Sequence, residues 1–151
     1  MIKKQLLPLG LALVFFACKK DTKVNDPLLG KWYYARSVIY SGKDGKVLKQ
    51  TEGDACEKKT YYEFLSGGVL NNEGYAQIGA KCESTGFGLD HYKYDASAKK
   101  MIAWFEENGA DHPTYNEPVH SIAATQLELQ WNQKDADGDG VADLYVNVYV
   151  K

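Results

Sequence analysis

An all-β fold, built as a barrel or a sandwich, follows from three features of the 151-residue chain. Eleven Tyr, five Phe and three Trp fall in short alternating runs, the pattern of half-buried strands rather than helices. Gly- and Asp-containing turn clusters separate these runs at regular intervals, dividing the chain from Gly30 onward into about eight or nine strands. No stretch carries the 3.6-residue period of an amphipathic helix, and no internal repeat is visible. With 18 basic against 20 acidic side chains, no positive field exists to attract nucleic acid, and that class of partner is excluded.

The chain opens on Met1-Ile2-Lys3-Lys4, followed by an apolar run from Leu6 to Ala17. That run is shorter than a membrane span and carries Pro8 and Gly10, so residues 1–17 read as a signal peptide. Phe15-Phe16-Ala17-Cys18 resembles a bacterial lipobox. The resemblance implies that Cys18 is diacylated and becomes the N-terminus, and two acyl chains give a stable membrane anchor where one is marginal. Lys19-Lys20-Asp21 resembles the export signal of surface lipoproteins in the Bacteroidetes, which places the protein at the outer membrane, on its periplasmic face or at the cell surface. Residues 18–27 are polar, lack periodicity and end in Asp26-Pro27, the composition of a tether. The folded domain is therefore expected over residues 28–151.

Its first strand runs from Gly30 to Tyr40, and simple alternation puts Trp32, Tyr34, Arg36, Val38 and Tyr40 on one face. Ser41-Gly42-Lys43-Asp44-Gly45 turns the chain into a short strand at Val47-Leu48, and Thr51–Glu57 reads as a polar loop. Thr60–Leu65 is the next strand, and Ser66-Gly67-Gly68 turns it into Val69-Leu70, with the glycines supplying positive φ. Further strands are predicted at Tyr75–Ile78, Phe87–Tyr94, Val119–Ala124, Leu127–Trp131 and Leu144–Val150. Met101–Phe105 is a continuous apolar run, expected to be buried on both faces. Between it and Val119 lies the longest irregular stretch, Glu106–Pro118, with breaks at Asn108-Gly109, Pro113 and Pro118. In the final strand Leu144, Val146, Val148 and Val150 share one face, and Tyr145, Asn147 and Tyr149 the other.

Gly30-Lys31-Trp32 at the head of the first strand, Tyr62-Glu63-Phe64 before Ser66-Gly67-Gly68, and Ile122 with Leu127-Glu128-Leu129 resemble the lipocalin-like lipoprotein domains of the Bacteroidetes. The resemblance covers Leu28 to Lys151. It implies an antiparallel up-and-down β-barrel whose tryptophan seals the closed end, and it implies a ligand-holding interior. An inward face of Trp32, Tyr34, Phe64, Phe87 and Trp104 would then surround a small apolar ligand.

Once Cys18 is acylated, Cys56 and Cys82 are the remaining thiols. In an exported, oxidising setting they are expected to form a disulfide closing a loop of 27 residues, which stabilises by roughly 3 to 4 kcal/mol. His91, His112 and His120 are scattered without metal-ligand spacing. The most chemically specific stretch is Asp135-Ala136-Asp137-Gly138-Asp139-Gly140-Val141-Ala142-Asp143. Alternating carboxylates around a Gly turn resemble the first nine positions of an EF-hand loop, which implies calcium ligands at Asp135, Asp137, Asp139 and Asp143 with the Val141 carbonyl. The bidentate Glu of that motif is replaced by Val146 and no helices flank the loop, so an acidic hairpin turn is the competing reading.

No Gly-x-Ser-x-Gly elbow, His-Glu-x-x-His pair or phosphate-cradling glycine loop occurs, so the chain is not expected to be an enzyme. Three readings follow: a lipid-anchored barrel that binds a small apolar ligand, a filled barrel whose surface meets an envelope protein or glycan, and a calcium-responsive module.

Overall fold

The computed structural model describes residues 26–86, 88 and 91–151. The expected signal peptide, the lipidation site Cys18 and Phe87 lie outside them. Ten strands follow in order: β1 (Gly30–Tyr40), β2 (Val47–Glu52), β3 (Tyr61–Leu65), β4 (Val69–Ile78), β5 (Lys81–Gly86), β6 (His91–Asp95), β7 (Lys100–Trp104), β8 (Tyr115–Ile122), β9 (Gln126–Lys134) and β10 (Asp143–Val150). The only helical element among the described residues is one 3₁₀ turn at Glu57–Lys59, and none there is long and apolar enough to cross a membrane.

All pairings are antiparallel. Eight strands form a sequential ring, β1-β3-β4-β6-β7-β8-β9-β10, and the β1–β10 ladder closes it. This is the up-and-down barrel expected from the sequence. Closure removes the unpaired edges that an open sheet would expose. β2 and β5 lie outside the ring: β1 pairs with β3 through Gly30–Tyr33 and with β2 through Arg36–Tyr40, while β5 pairs with the upper half of β4. Among the described residues β4 meets β6 through the pair Val69 and His91, and the other ring ladders hold three to eight pairs each.

The base of the barrel is packed solid. Trp32 lies opposite Tyr62 and Gly30 opposite Phe64, so inward rings stack above one another and meet Leu70, Tyr92, Met101, Leu127 and Leu129 in one buried cluster. The segment before β1 plugs this end. Leu28 is fully buried, its backbone N–H donates to Asp26 Oδ1 at 2.9 Å, and its carbonyl accepts the Trp32 indole N–H at 2.5 Å. The Tyr92 hydroxyl donates to Asp26 Oδ2 at 2.6 Å, and the Lys151 ammonium caps the Trp32 ring at 4.1 Å. The buried Leu28 backbone and the Asp26 carboxylate thus have partners, which is the condition for burying them.

Simple alternation fails in β1. Tyr34 lies opposite Tyr149, yet Arg36 lies opposite Val148, because Ala35 is an extra residue in a bulge. Side chains at 148 and 149 point to opposite faces of β10. Trp32 and Tyr34 therefore face the barrel interior, while Arg36, Val38 and Tyr40 face the other way, correcting the single face expected for all five. On that second face Val38, Val146 and Val148 are buried as well. Bulges increase local twist and bend, and they recur in β8 between Val119 and Ser121 and where β9 meets β10 at Trp131.

Other boundaries shift. Val69-Leu70 and Tyr75–Ile78 belong to one long β4. β5, with the polar sequence KCESTG, gave no alternation to read. The strand expected from Phe87 begins at His91, and the last four residues of the expected irregular stretch, Tyr115–Pro118, open β8. In β7 Met101 and Ala103 are buried but Ile102 and Trp104 only partly, so one face is core rather than both. The paired glycines turn β3 into β4 at positive φ, 83° for Gly67 and 79° for Gly68, as expected.

Candidate functional site

The residues expected to line a ligand cavity are distributed differently from that expectation. Trp32 and Phe64 are packed into the solid base, with Tyr34 against the same cluster. Trp104 follows the buried Ala103 and so points to the opposite face, where it stacks on His91 with ring centroids 5.7 Å apart. Three of the five thus share the interior, one does not, and the fifth is Phe87.

Above the base the interior becomes a tyrosine-walled cup holding one carboxylate. Tyr149 packs edge-on against Tyr34 at 5.8 Å and against Tyr62 at 5.2 Å. Glu117 lies opposite the buried Met101 and therefore faces inward from β8. Its charge reaches Tyr62 and Tyr149, raising both phenols, whose own burial is the larger cause. Burial raises the Glu117 carboxyl itself to about 7. Among the described residues no cation offsets this: Lys100 on β7 and Lys93 on β6 lie opposite Pro118 and Ile102, on the outward face. Burying a carboxylate without a partner disfavours its charged form.

Beside Tyr62 a recess of about 270 Å³ is lined by Thr60, Tyr61, Tyr62, Asn72, Gly74 and Tyr115 among others, joining β3 and β4 to β8. Glu117 lies two residues beyond Tyr115 on the same face of β8. A second recess of about 300 Å³, near the β6–β7 turn at the plugged end, is lined by Tyr94, Lys99, Val119, His120 and Ile122. Glu117 was missed in the sequence because Pro113 and Pro118 read as loop breakers. The signal that could have found it is the alternation Tyr115, Glu117, Val119, a carboxylate at a position where a strand points to the core.

The acidic loop between β9 and β10 gathers Asp135, Asp137 and Asp143, whose carboxylate oxygens lie within 4.8 Å of one another and could hold a metal ion. Asp139, also expected as a ligand, turns toward Lys43 at 3.7 Å and accepts the Val141 N–H at 2.8 Å. Backbone donors already satisfy much of the cluster. Asp135 accepts from Gly138 and Gly140 at 2.7 and 3.0 Å, and Asp143 accepts from Gly42 and Ala136 at 2.9 and 2.7 Å. Those two bonds hold the Asp143 carboxyl below its usual range and latch this loop to the β1–β2 turn, where a Cβ on Gly42 would collide with the Ala142 carbonyl. The oxygen donor set suits calcium, and the backbone bonds hold it in shape.

On the second face of β1, Glu128 is 5% exposed and central to a polar network. It accepts from Gln126 Nε2 at 2.8 Å and Tyr40 Oη at 3.3 Å, and His120 Nε2 lies 3.7 Å away. Tyr40 stacks on His120 at 5.0 Å, and Arg36 donates to Gln126 at 3.4 Å. The cluster cross-braces β1, β8 and β9 over the buried valines. Elsewhere, the expected disulfide joins Cys56, at the 3₁₀ turn, to Cys82 on β5, with Cα atoms 5.4 Å apart.

Neither a protein family nor a curated protein matches the sequence. Among solved structures, the chain is similar to a lipocalin-like protein from Bacteroides uniformis, at 14% identity and a TM-score of 0.47, over 83% of this chain and 98% of that one. It is also similar to a deswapped triple mutant of bovine odorant binding protein, at 14% identity and a TM-score of 0.37, over 83% and 74%. At those scores neither likeness carries an argument, and the fold rests on its own strand order and the β1–β10 closure.

Proposed function

We propose that the chain is a cell-envelope lipoprotein, anchored through Cys18, whose barrel binds a small ligand at its open end. The observation that carries this reading is a tyrosine-lined recess beside the inward Glu117 carboxylate, above a filled base. A barrel that served only as a scaffold would gain nothing from an inward, partly buried Glu117, since an apolar side chain there would be more stable. The filled base limits the ligand to the mouth, where phenol rings supply apolar contact and hydroxyls supply direction. Asp26 and Leu28 lie at the plugged end, so a tether from Cys18 leading into them would hold the mouth away from the membrane. No catalytic role is assigned to any residue.

Native mass spectrometry of a soluble form beginning at Asp26, purified from an exporting host, tests the binding role. A retained small mass released by organic solvent, and lost when Tyr62 is changed to Ala, is expected. Bare protein from every preparation would remove the carrier reading and leave an envelope scaffold that meets a protein or glycan. The anchor is tested separately: labelled fatty acid should enter the full chain and fail to enter Cys18→Ser.

The Asp135, Asp137 and Asp143 cluster favours a second role, calcium binding that stiffens the β9–β10 hairpin. Millimolar calcium should then raise the melting temperature of the wild type and leave Asp137→Asn unmoved. An equal shift in both excludes it.

A further inference from the structure

We propose that the ligand of the barrel mouth carries a positively charged nitrogen, which enters through the recess and is received by the Glu117 carboxylate within the ring of tyrosines. This rests on the recess being the ligand site, and it assigns the class of molecule bound there.

The inference starts from what surrounds Glu117. From β3 it is faced by Tyr62, from β10 by Tyr149, and on its own strand by Tyr115, with Met101 as its β7 neighbour. None of these side chains carries a positive charge, and burial raises the Tyr62 and Tyr149 phenols above their usual range. Among the described residues the nearby cations are committed elsewhere: Lys31, opposite Glu63 on the outward face of β1, lies over the Tyr61 ring at 3.5 Å. Lys93 and Lys100 are on the outward face. Arg36 lies on the second face of β1 and bonds Gln126, while Lys151 caps Trp32 at the plugged end and donates to the Leu29 carbonyl at 2.9 Å. A buried carboxylate is stable when paired, so the missing charge is one that arrives with the ligand.

The walls point to the same chemistry. Aromatic faces attract cations and repel anions; Tyr62 and Tyr115 line the recess, and Tyr149 lies against Tyr62 behind it. An anionic ligand would meet both the carboxylate and the π-faces, and a neutral apolar one would leave the carboxylate unpaired. The small recess, about 270 Å³, fits a compact organic ammonium with a short apolar body. Such a molecule replaces the water lost by the carboxylate with a charge-assisted hydrogen bond.

The test compares phenethylamine, the neutral 2-phenylethanol and the anionic phenylacetate by calorimetry near pH 8, where Glu117 is ionised. The amine should bind at least about tenfold tighter than the alcohol, a single charge-assisted bond amounting to about 1.4 kcal/mol or more, and phenylacetate should not bind. Glu117→Gln should erase the preference for the amine while retaining the alcohol. A second readout needs no variant: adding the amine should shift the carboxyl-carbon titration of Glu117, followed by NMR, to lower pH. Equal binding of amine and alcohol, or tighter binding of phenylacetate, overturns the cationic assignment and leaves the recess as a ligand site. Absence of binding by all three at millimolar concentration, together with bare protein in native mass spectrometry, overturns both.

Discussion

Replacing Glu117 by Gln is expected to stabilise the protein at neutral and alkaline pH and to leave it unchanged in mild acid. The unfolded chain ionises this carboxyl near its ordinary 4.5, while burial holds the folded carboxyl to about 7. Below 4.5 the group is neutral in both states and costs nothing. Between those limits the unfolded state releases the proton and the folded state keeps it, so stability falls as pH rises. Above 7 both states are ionised and the loss is complete. At 1.36 kcal/mol per pH unit the interval amounts to about 3 kcal/mol, a ceiling because the side chain is only partly buried. Urea midpoints measured from pH 4 to 8 on wild type and Glu117→Gln provide the assay. The histidines and the other carboxylates are common to both proteins, so their titration cancels in the difference. That difference should open from near zero at the acid end toward the ceiling at the alkaline end. A difference that is constant across the range, or that opens toward acid, refutes the inward, unpaired placement of Glu117.

Reduction of Cys56–Cys82, or its replacement by paired Ser, should lower stability by about 3.5 kcal/mol from the loop closed by a sequence separation of 26; urea unfolding with and without reductant measures it. Trp32→Ala should cost about 3 to 5 kcal/mol, the range for emptying a large aromatic site, because Trp32 is fully buried and its indole satisfies the Leu28 carbonyl. Hydrogen exchange should then show residues 26–32 losing protection first. The Asp143 carboxyl is held below its usual range by two backbone donors, so it stabilises above about pH 4 and that contribution fades as pH falls through its folded value. Asp143→Asn should therefore lower the melting temperature at pH 7 and flatten its decline in acid; an acid limb as steep as the wild type's would show the latch to be unimportant.

The parts of the fold read correctly from sequence were those specified by neighbours in the chain. Gly67 and Gly68 announce their own turn, Trp32 and Phe64 sit in clear alternation, and Cys56 and Cys82 are the only two thiols in the expected domain. What failed depended on partners far away in sequence. The extra residue at Ala35 is visible only against the ladder with β10, because a bulge is a mismatch of counts between two strands. β5 is polar on both faces, and it is a strand because β4 offers it an edge. Glu117 was hidden by the prolines on either side of it, although Pro118 sits within β8 opposite Lys100. Asp139 shared its spacing with the other acidic residues, but its direction was set by Lys43 from another turn.

The base is sealed by groups far apart in the chain: the Lys151 ammonium donates to the Leu29 carbonyl across a sequence separation of 122 and caps the Trp32 ring. Contacts so distant form only once the β1–β10 ladder has closed the ring. The plug is therefore a lock set after the barrel has been rolled, and it resists unrolling from either of the two strands that close it.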